Sequence, residues 1–151
     1  MPLFAKSAID ATLVEAAVRQ LELQTSAEVR VYIEKNAELK GLAESANPIV
    51  TRAEQVFSQL EMEKTEANNG VLIYVALKQR SCAVIGDSGI NRFVAADFWQ
   101  GCCDVITAQA AQGNLTKGII AALYLLAEKL SQHFPYQQDD VDELPNEVII
   151  R

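Results

Sequence analysis

The chain has a single histidine among its 151 residues, and its three cysteines form no C-x-x-C pair. No Ser-His or Cys-His catalytic pair can be assembled from such a sequence. An odd number of cysteines without a histidine nearby indicates a reduced interior, and it argues against a disulfide framework or a zinc site. Cys102 and Cys103 are therefore expected to be buried, unreactive thiols.

Clusters of lysine and arginine are also missing, and the formal net charge is -7. Such a chain repels a nucleic-acid backbone, so cations are its more natural partners. No apolar stretch is long enough to span a bilayer, and the first residues lack the apolar region of a secretory signal. We therefore expect a soluble, cytoplasmic protein that binds neither nucleic acid nor membranes.

The most informative stretch that the sequence does contain is the unbroken apolar run VLIYVAL at 71–77. It is too short for a buried helix and rich in β-branched and aromatic residues, which predicts a central β-strand covered on both faces. The polar residues at 78–80 interrupt the apolar pattern and SCAVI at 81–85 resumes it. This pattern predicts an antiparallel hairpin that ends in the GDSG loop at 86–89.

A second strand is predicted at 28–34, where EVRVYIE alternates between apolar and polar residues. Strict alternation indicates a strand with one face less than fully buried. After a polar loop at 35–47, an Asn-Pro pair marks the start of a helix at 48–60. Strand, helix and strand form a βαβ unit, so we expect the strands at 28–34 and 70–77 to be parallel.

Three further helices are predicted, at 10–24, 94–111 and 115–134. For the first, Asp10 competes as N-cap with a capping box formed by Thr12 and Glu15. The second is expected to present one apolar face, made of Phe98, Cys102, Val105, Ile106 and Gln109. Gly113 follows it as a left-handed cap residue, and Pro135 ends the third.

Together these elements predict an α/β fold, a three-layer α/β/α sandwich around a small mixed sheet. The order of elements is a Rossmann-like βαβ unit followed by an antiparallel hairpin. We expect one domain at 10–135, between an N-terminal extension at 1–9 and an acidic C-terminal tail at 136–151.

This topology predicts which polar residues meet. If the first two strands are parallel and the third is antiparallel to the second, the 86–89 loop lies at the same end of the sheet as the starts of the other two strands. Glu28, Asn69 and Asp87 then become neighbours, separated by one or two strand spacings of about 4.8 Å.

Carboxylate, amide and backbone carbonyl oxygens are hard ligands that suit Ca²⁺ or Mg²⁺. Glu28, Asn69 and Asp87 are therefore the candidate metal ligands. The alternative is structural: Asp87 caps the turn or the helix that follows it, and Glu28 pairs with Arg30 or a lysine at the surface.

Several stretches of the sequence together resemble the TPM domain family, which includes the thylakoid-lumen acid phosphatase-like proteins and small soluble bacterial relatives. The matching stretches are TSAEVRV at 25–31, RAEQVF at 52–57, KT at 64–65, NGVLIY at 69–74, AVIGDSGI at 83–90, DFW at 97–99, GI at 118–119 and DDVDELP at 139–145. The resemblance implies an α/β/α sandwich that binds a divalent cation at acidic residues on one end of its sheet. Three features depart from the family pattern: Ala27 and Glu61 replace glycines, and the loop at 36–47 is longer.

Three functions follow from the residues and from the resemblance. The first is a cation-binding domain with an accessory or sensing role. The second is a metal-assisted phosphatase acting on phosphate monoesters, with Arg30 or Arg92 as the nearest cationic group for the phosphate. The third is a protein-interaction module without a catalytic role, which binds a protein partner through its acidic surface or tail.

Overall fold

The computed structural model describes residues 9–137 and 144–151. Its helices are α1 (Ala11–Glu22), α2 (Pro48–Gln59), α3 (Ser88–Asn91), α4 (Ala96–Ala110) and α5 (Leu115–His133), with a 3₁₀ turn at Met62–Lys64. Its strands are β1 (Glu28–Glu34), β2 (Gly70–Ala76), β3 (Ser81–Gly86) and β4 (Ile149–Ile150).

The four strands form one mixed sheet in the order β3-β2-β1-β4. β1 and β2 are parallel and in register from Glu28 opposite Gly70 onward, and β2 and β3 form the antiparallel hairpin. The predicted βαβ unit and hairpin are therefore confirmed. β4, which pairs in parallel with β1, was not predicted, and it lies in the segment predicted to be an acidic tail.

Two apolar cores cover the two faces of the sheet and define the three layers. On one face, α1, α4 and α5 pack against alternate residues of the strands, including Val29, Val31 and Ile73. On the other face, α2 and the 3₁₀ turn pack against Leu72 and Tyr74. Each fully buried aliphatic side chain contributes about 1.5–3 kcal/mol. The predicted α/β/α sandwich is confirmed.

The expectation of an incompletely buried face on the first strand is wrong, because all seven residues of β1 are buried. Glu28, Arg30 and Glu34 are only 4%, 6% and 7% exposed. The second core covers this polar face, and it includes Ile149 of β4 as well as residues of α2. A polar side chain on a strand indicates exposure only when no other element packs over it, and alternation alone does not show what packs there.

The helix ends follow the predicted capping residues at all but one point. Asp10 is the N-cap of α1, and its side chain accepts a hydrogen bond from the backbone N–H of Leu13 at 3.1 Å. The capping box is therefore wrong: Glu15 accepts instead from the backbone N–H of Val148 at 2.9 Å, which ties the C-terminal segment to α1. Gly113 follows α4 with a left-handed φ of 81°, as expected.

α4 is rotated relative to the predicted apolar face. Its buried residues are Cys102, Cys103, Ile106 and Ala110. Val105 and Gln109, which the pattern placed on the buried face, are only partly buried. Successive helical residues lie 100° apart, so a small error in the assumed centre of a face exchanges its border residues.

Residues 138–143 of the acidic tail, which include its acidic run at 139–143, lie outside the described residues. The prediction that a partner binds there therefore stays a prediction. Among the residues that are described, no helix combines the length and the apolar composition needed to cross a membrane.

Candidate functional site

Three chain segments meet at the end of the sheet where β1 and β2 begin, which we call the Asp87 end. The backbone N–H of Glu28 donates to the carbonyl oxygen of Asn69 at 3.2 Å, and that of Asp87 donates to the carbonyl oxygen of Gly70 at 2.9 Å. The structure thus places Glu28, Asn69 and Asp87 at one end of the sheet, as the strand directions predicted.

Gly89 allows the loop after β3 to press against the loop before β2. Its N–H donates to the carbonyl oxygen of Asn68 at 2.9 Å. A Cβ atom at Gly89 would lie 2.4 Å from the carbonyl oxygen of Ala67 and 2.5 Å from that of Asn68. Any side chain would force these loops apart, so glycine is required for their close approach.

The amide of Asn69 is held by two hydrogen bonds. Its backbone N–H donates to the hydroxyl of Thr65 at 3.1 Å, and its Nδ2 donates to the carbonyl oxygen of Ser26 at 3.0 Å. The side-chain oxygen Oδ1 is buried, and none of the described residues gives it a hydrogen bond. An anchored amide with an unsatisfied oxygen is suited to accept a donor or a cation.

Asp87 is the N-cap of α3, which confirms the structural alternative for this residue. Its Oδ1 accepts from the backbone N–H of Ser88 at 2.7 Å. Its second oxygen, Oδ2, is buried and has no hydrogen-bond partner among the residues that the structure describes. Capping therefore uses one carboxylate oxygen and leaves the other available.

The ligand atoms at this end are hard oxygens, which fit Ca²⁺ or Mg²⁺ and not a soft metal. Within the two described ranges, no group of three or more His, Cys, Asp or Glu side chains is arranged to hold a metal ion. A cation at the Asp87 end would therefore depend on amide and backbone carbonyl oxygens in addition to carboxylates.

A cleft of about 380 Å³ runs beside Asp87, between α2 and the start of α4. Its walls include Glu54, Phe57 and Trp99. The Trp99 ring packs against Gly86, where a Cβ would lie only 2.7 Å from it, and its Nε1 donates to Oδ1 of Asn91 at 3.3 Å. The cleft offers space for a ligand next to the Asp87 carboxylate.

The walls of this cleft were not predicted from the sequence. Helical spacing alone predicts Phe57 on the core stripe of α2, and Trp99 on the stripe of α4 next to its predicted apolar face. The signals for them were the stretches RAEQVF at 52–57 and DFW at 97–99, which match the family pattern but do not reveal how each helix is rotated.

The two arginines proposed for phosphate binding differ in their surroundings. Arg30 follows Glu28 by two positions on β1 and is 6% exposed, while Arg92 is exposed at the end of α3. Burial lowers the pKa of Arg30, and the nearby Glu147 carboxylate partly offsets that shift. Nε of Arg30 is buried, and the described ranges offer it no hydrogen-bond acceptor.

The opposite end of the sheet, which we call the Arg52 end, carries a buried ion pair. Arg52 donates to both carboxylate oxygens of Glu34, at 3.1 and 2.8 Å, and the Tyr74 hydroxyl donates to the same carboxylate at 2.6 Å. The backbone N–H of Glu38 adds a further hydrogen bond at 3.0 Å. Burial raises the pKa of Glu34, but these hydrogen bonds outweigh it and hold the pKa below its usual value.

The fold and the Asp87 end together define a small α/β/α domain with hard oxygen groups gathered at one end of a mixed sheet. The profile of the TPM domain matches residues 7–129. The chain therefore belongs to the TPM domain family. The comparison with curated proteins gives no match.

Solved structures show the same fold. The NMR structure of the BA42 protein from the psychrophilic bacterium Bizionia argentinensis is 36% identical, with a TM-score of 0.80 over 93% of this chain and 92% of that one. The N-terminal domain of a P. gingivalis protein is 15% identical, with a TM-score of 0.63 over 89% of this chain and 85% of that one. The N-terminal domain of the cg2496 protein from Corynebacterium glutamicum is 11% identical, with a TM-score of 0.56 over 83% and 74%. The last two similarities concern the fold alone.

Proposed function

We propose that this TPM domain binds a divalent cation at the Asp87 end, through Asp87, Asn69 and Glu28, in an accessory or sensing role. The observation that supports the proposal is that Oδ1 of Asn69 and Oδ2 of Asp87 are buried and find no hydrogen-bond partner within 9–137 and 144–151. Leaving such an atom unsatisfied costs about 1–3 kcal/mol. A cation bound between these oxygens would remove that cost.

The mixture of ligand types favours Ca²⁺ over Mg²⁺. Ca²⁺ accepts six to eight oxygens in flexible geometry, including amide and backbone carbonyl oxygens, whereas Mg²⁺ requires a near-ideal octahedron and retains several waters. Asn69 would supply an amide oxygen and the surrounding loops would supply carbonyl oxygens. The net charge of -7 also favours the approach of a cation.

The proposal is tested by titrating Ca²⁺ and Mg²⁺ while following backbone amide NMR shifts. We expect shifts concentrated at 25–28, 68–70 and 86–91, with tighter binding of Ca²⁺. Asp87→Asn should abolish them while preserving the helix cap, because Asn is as good an N-cap as Asp.

Glu54→Gln is the matched control, because Glu54 lines the same cleft as Asp87 and the change removes the same charge. We expect it to leave the binding almost unchanged. Shifts confined to 139–143, or an equal loss of binding in both variants, would contradict a cation site at the Asp87 end.

The cleft beside Asp87 is the observation that favours metal-assisted phosphatase activity as a second candidate. Hydrolysis of a phosphate monoester requires an open coordination position and room for the ester, and the cleft would provide both next to the cation. Turnover of p-nitrophenyl phosphate that requires Ca²⁺ or Mg²⁺ and is lost in Asp87→Asn but kept in Glu54→Gln would support it. Cation binding without turnover would favour the accessory or sensing role over phosphatase activity.

Binding of a protein partner through the acidic surface or tail is the third function considered. A pull-down that depends on residues 139–143, together with an absence of cation binding at the Asp87 end, would favour it over the other two.

A further inference from the structure

Cys82 of β3 and Cys103 of α4 lie against each other where the helix covers the sheet. The Cys103 thiol donates to the carbonyl oxygen of Cys82 at 3.5 Å, and the Cys82 thiol contacts the carbonyl oxygen of Cys103 at 3.9 Å. Each sulfur therefore reaches the other residue's backbone, and the two side chains lie alongside one another.

β3 is an edge strand, and Cys103 occupies the place that a neighbouring strand would take. Its sulfur donates to the Cys82 carbonyl oxygen and accepts from the backbone N–H of Val84. Cys82 is partly exposed and Cys103 is 8% exposed, so the pair lies close to the protein surface.

The two thiols differ in acidity because of their mutual contact. A hydrogen bond from Cys82 lowers the pKa of Cys103, and the Val84 N–H adds to that effect against the opposing influence of burial. The same hydrogen bond, together with burial, raises the pKa of Cys82. Cys103 is thus the more readily ionised sulfur, and the Cys82 thiol donates a hydrogen bond to it.

We propose that Cys82 and Cys103 are a site of reversible intrachain disulfide formation, which a peroxide closes and a small thiol reopens. The proposal is independent of the cation site, since neither cysteine belongs to the Asp87 end.

The chemistry balances with one peroxide. The Cys103 thiolate attacks a peroxide oxygen, so that an S–O bond forms, the O–O bond breaks and hydroxide leaves. The Cys82 sulfur then attacks the sulfenic sulfur, the S–S bond forms and the S–O bond breaks, and the Cys82 proton leaves with the departing oxygen as water. Each sulfur loses one electron and the peroxide gains two.

The test treats the native protein with hydrogen peroxide and maps the products by non-reducing mass spectrometry. After digestion with trypsin, we expect a species lighter by two hydrogens in which peptide 81–92 is linked to peptide 93–117. Dithiothreitol should break this link. Because both Cys102 and Cys103 lie in the second peptide, variants must identify the sulfur involved.

Cys102→Ser is the matched control, because Cys102 is the adjacent residue on α4 and burial raises the pKa of its thiol to about 12. This variant should form the cross-link at an unchanged rate, whereas Cys103→Ser should form it at least about tenfold more slowly. A cross-link that is lost in Cys102→Ser and kept in Cys103→Ser would overturn the assignment.

Cys82→Ser provides a second readout that does not require substitution of the α4 residue. Here the Cys103 sulfenic acid has no partner and should be captured by dimedone, while the wild-type protein should show little capture. If the wild-type protein forms no cross-link and Cys103 proceeds to sulfinic acid instead, the two sulfurs do not form a disulfide site and the proposal fails.

Discussion

The two ends of the sheet differ in how their buried polar groups are hydrogen-bonded. At the Arg52 end, Glu34 accepts hydrogen bonds from Arg52, Tyr74 and the backbone of Glu38. At the Asp87 end, Oδ1 of Asn69 and Oδ2 of Asp87 are buried and have no hydrogen-bond partner in the described part of the chain. The chain supplies a counter-charge at one end and leaves oxygen atoms unsatisfied at the other.

This difference indicates where a ligand is useful to the protein. A carboxylate that already has a counter-charge and hydrogen bonds within the protein is not stabilised further by an external cation. Unsatisfied buried oxygens reduce stability, and proteins retain such features most often at functional sites. The Arg52 end is therefore a structural cluster, and the Asp87 end is the candidate binding site, although both contain the same kinds of residues.

The largest expected effect is at the Arg52 end. Replacing Arg52 with Ala should lower the free energy of unfolding by about 3–5 kcal/mol, because it leaves the Glu34 carboxylate buried without its counter-charge. Urea unfolding at pH 7 measures this loss. Arg19→Ala, which removes an exposed arginine from α1, should change stability by no more than about 0.5 kcal/mol. Similar losses in the two variants would show that the ion pair does not distinguish this end.

Tyr74→Phe tests the same end more gently and adds a pH dependence. Removing its hydrogen bond to Glu34 should cost about 1.5–3 kcal/mol at pH 7, where that carboxylate is ionised. The folded pKa of Glu34 is lowered, so its stabilising contribution is present above the unfolded pKa of about 4.3 and is lost as the pH falls through the folded pKa. The difference between the two proteins should therefore shrink as the pH falls below about 4.

Tyr32→Phe is the control for Tyr74→Phe. Tyr32 stacks on Tyr74 with ring centroids 6.1 Å apart, but the described part of the chain offers its hydroxyl no hydrogen-bond partner. Tyr32→Phe should lower the free energy of unfolding much less than Tyr74→Phe does, and this loss should not show a comparable pH dependence. A pH-independent loss in Tyr74→Phe would mean that packing, and not the Glu34 hydrogen bond, accounts for it.

At the Asp87 end the sign of a substitution should depend on the cation. Without divalent cations, Asp87→Asn should raise the free energy of unfolding by about 1 kcal/mol, because it removes the charge of a carboxylate with one buried, unsatisfied oxygen. With Ca²⁺ at 100 times its dissociation constant, the wild-type protein gains about 2.7 kcal/mol and should become the more stable of the two. Thermal unfolding of the wild-type protein and of Asp87→Asn, in EDTA and in Ca²⁺, measures the two differences. If the same protein is the more stable one in both buffers, cation binding by Asp87 is contradicted.

The smallest expected effect concerns Glu61, which lies between the end of α2 and the 3₁₀ turn. Glu61 has a left-handed φ of 57°, a conformation that costs a non-glycine residue about 1–2 kcal/mol. Glu61→Gly should therefore stabilise the protein by about 0.5–1 kcal/mol after the greater entropy of glycine in the unfolded chain is counted. In Glu63→Gly, which alters an exposed residue of the 3₁₀ turn, we expect a small loss by urea unfolding. A loss in both variants would show that the backbone at Glu61 is unstrained.

The sequence predicted the strands and their directions because apolar runs and alternation are local signals. Strand direction then predicted that Glu28, Asn69 and Asp87 lie at one end, since topology decides which loops are neighbours. The pairing of Glu34 with Arg52 was not predicted, because no local pattern records which helix covers a strand. Trp99 and Cys103 were missed as partners of β3 for a similar reason: a shift of one residue in the rotation of α4 changes what each side chain contacts. β4, at only two residues, is too short to produce any periodic signal.

The pairing of β4 with β1 has a consequence for how the protein folds. The contact between Val148 and Glu15 joins residues 133 positions apart, and β4 closes the sheet from the same distant segment. Contacts of such sequence separation require a large loop to close first, and they slow folding relative to local contacts. Until they form, the hydrogen-bonding edge of β1 remains available to strands of other molecules. Refolding at high protein concentration should therefore compete with aggregation along β1, and this competition should fade once the last strand has paired.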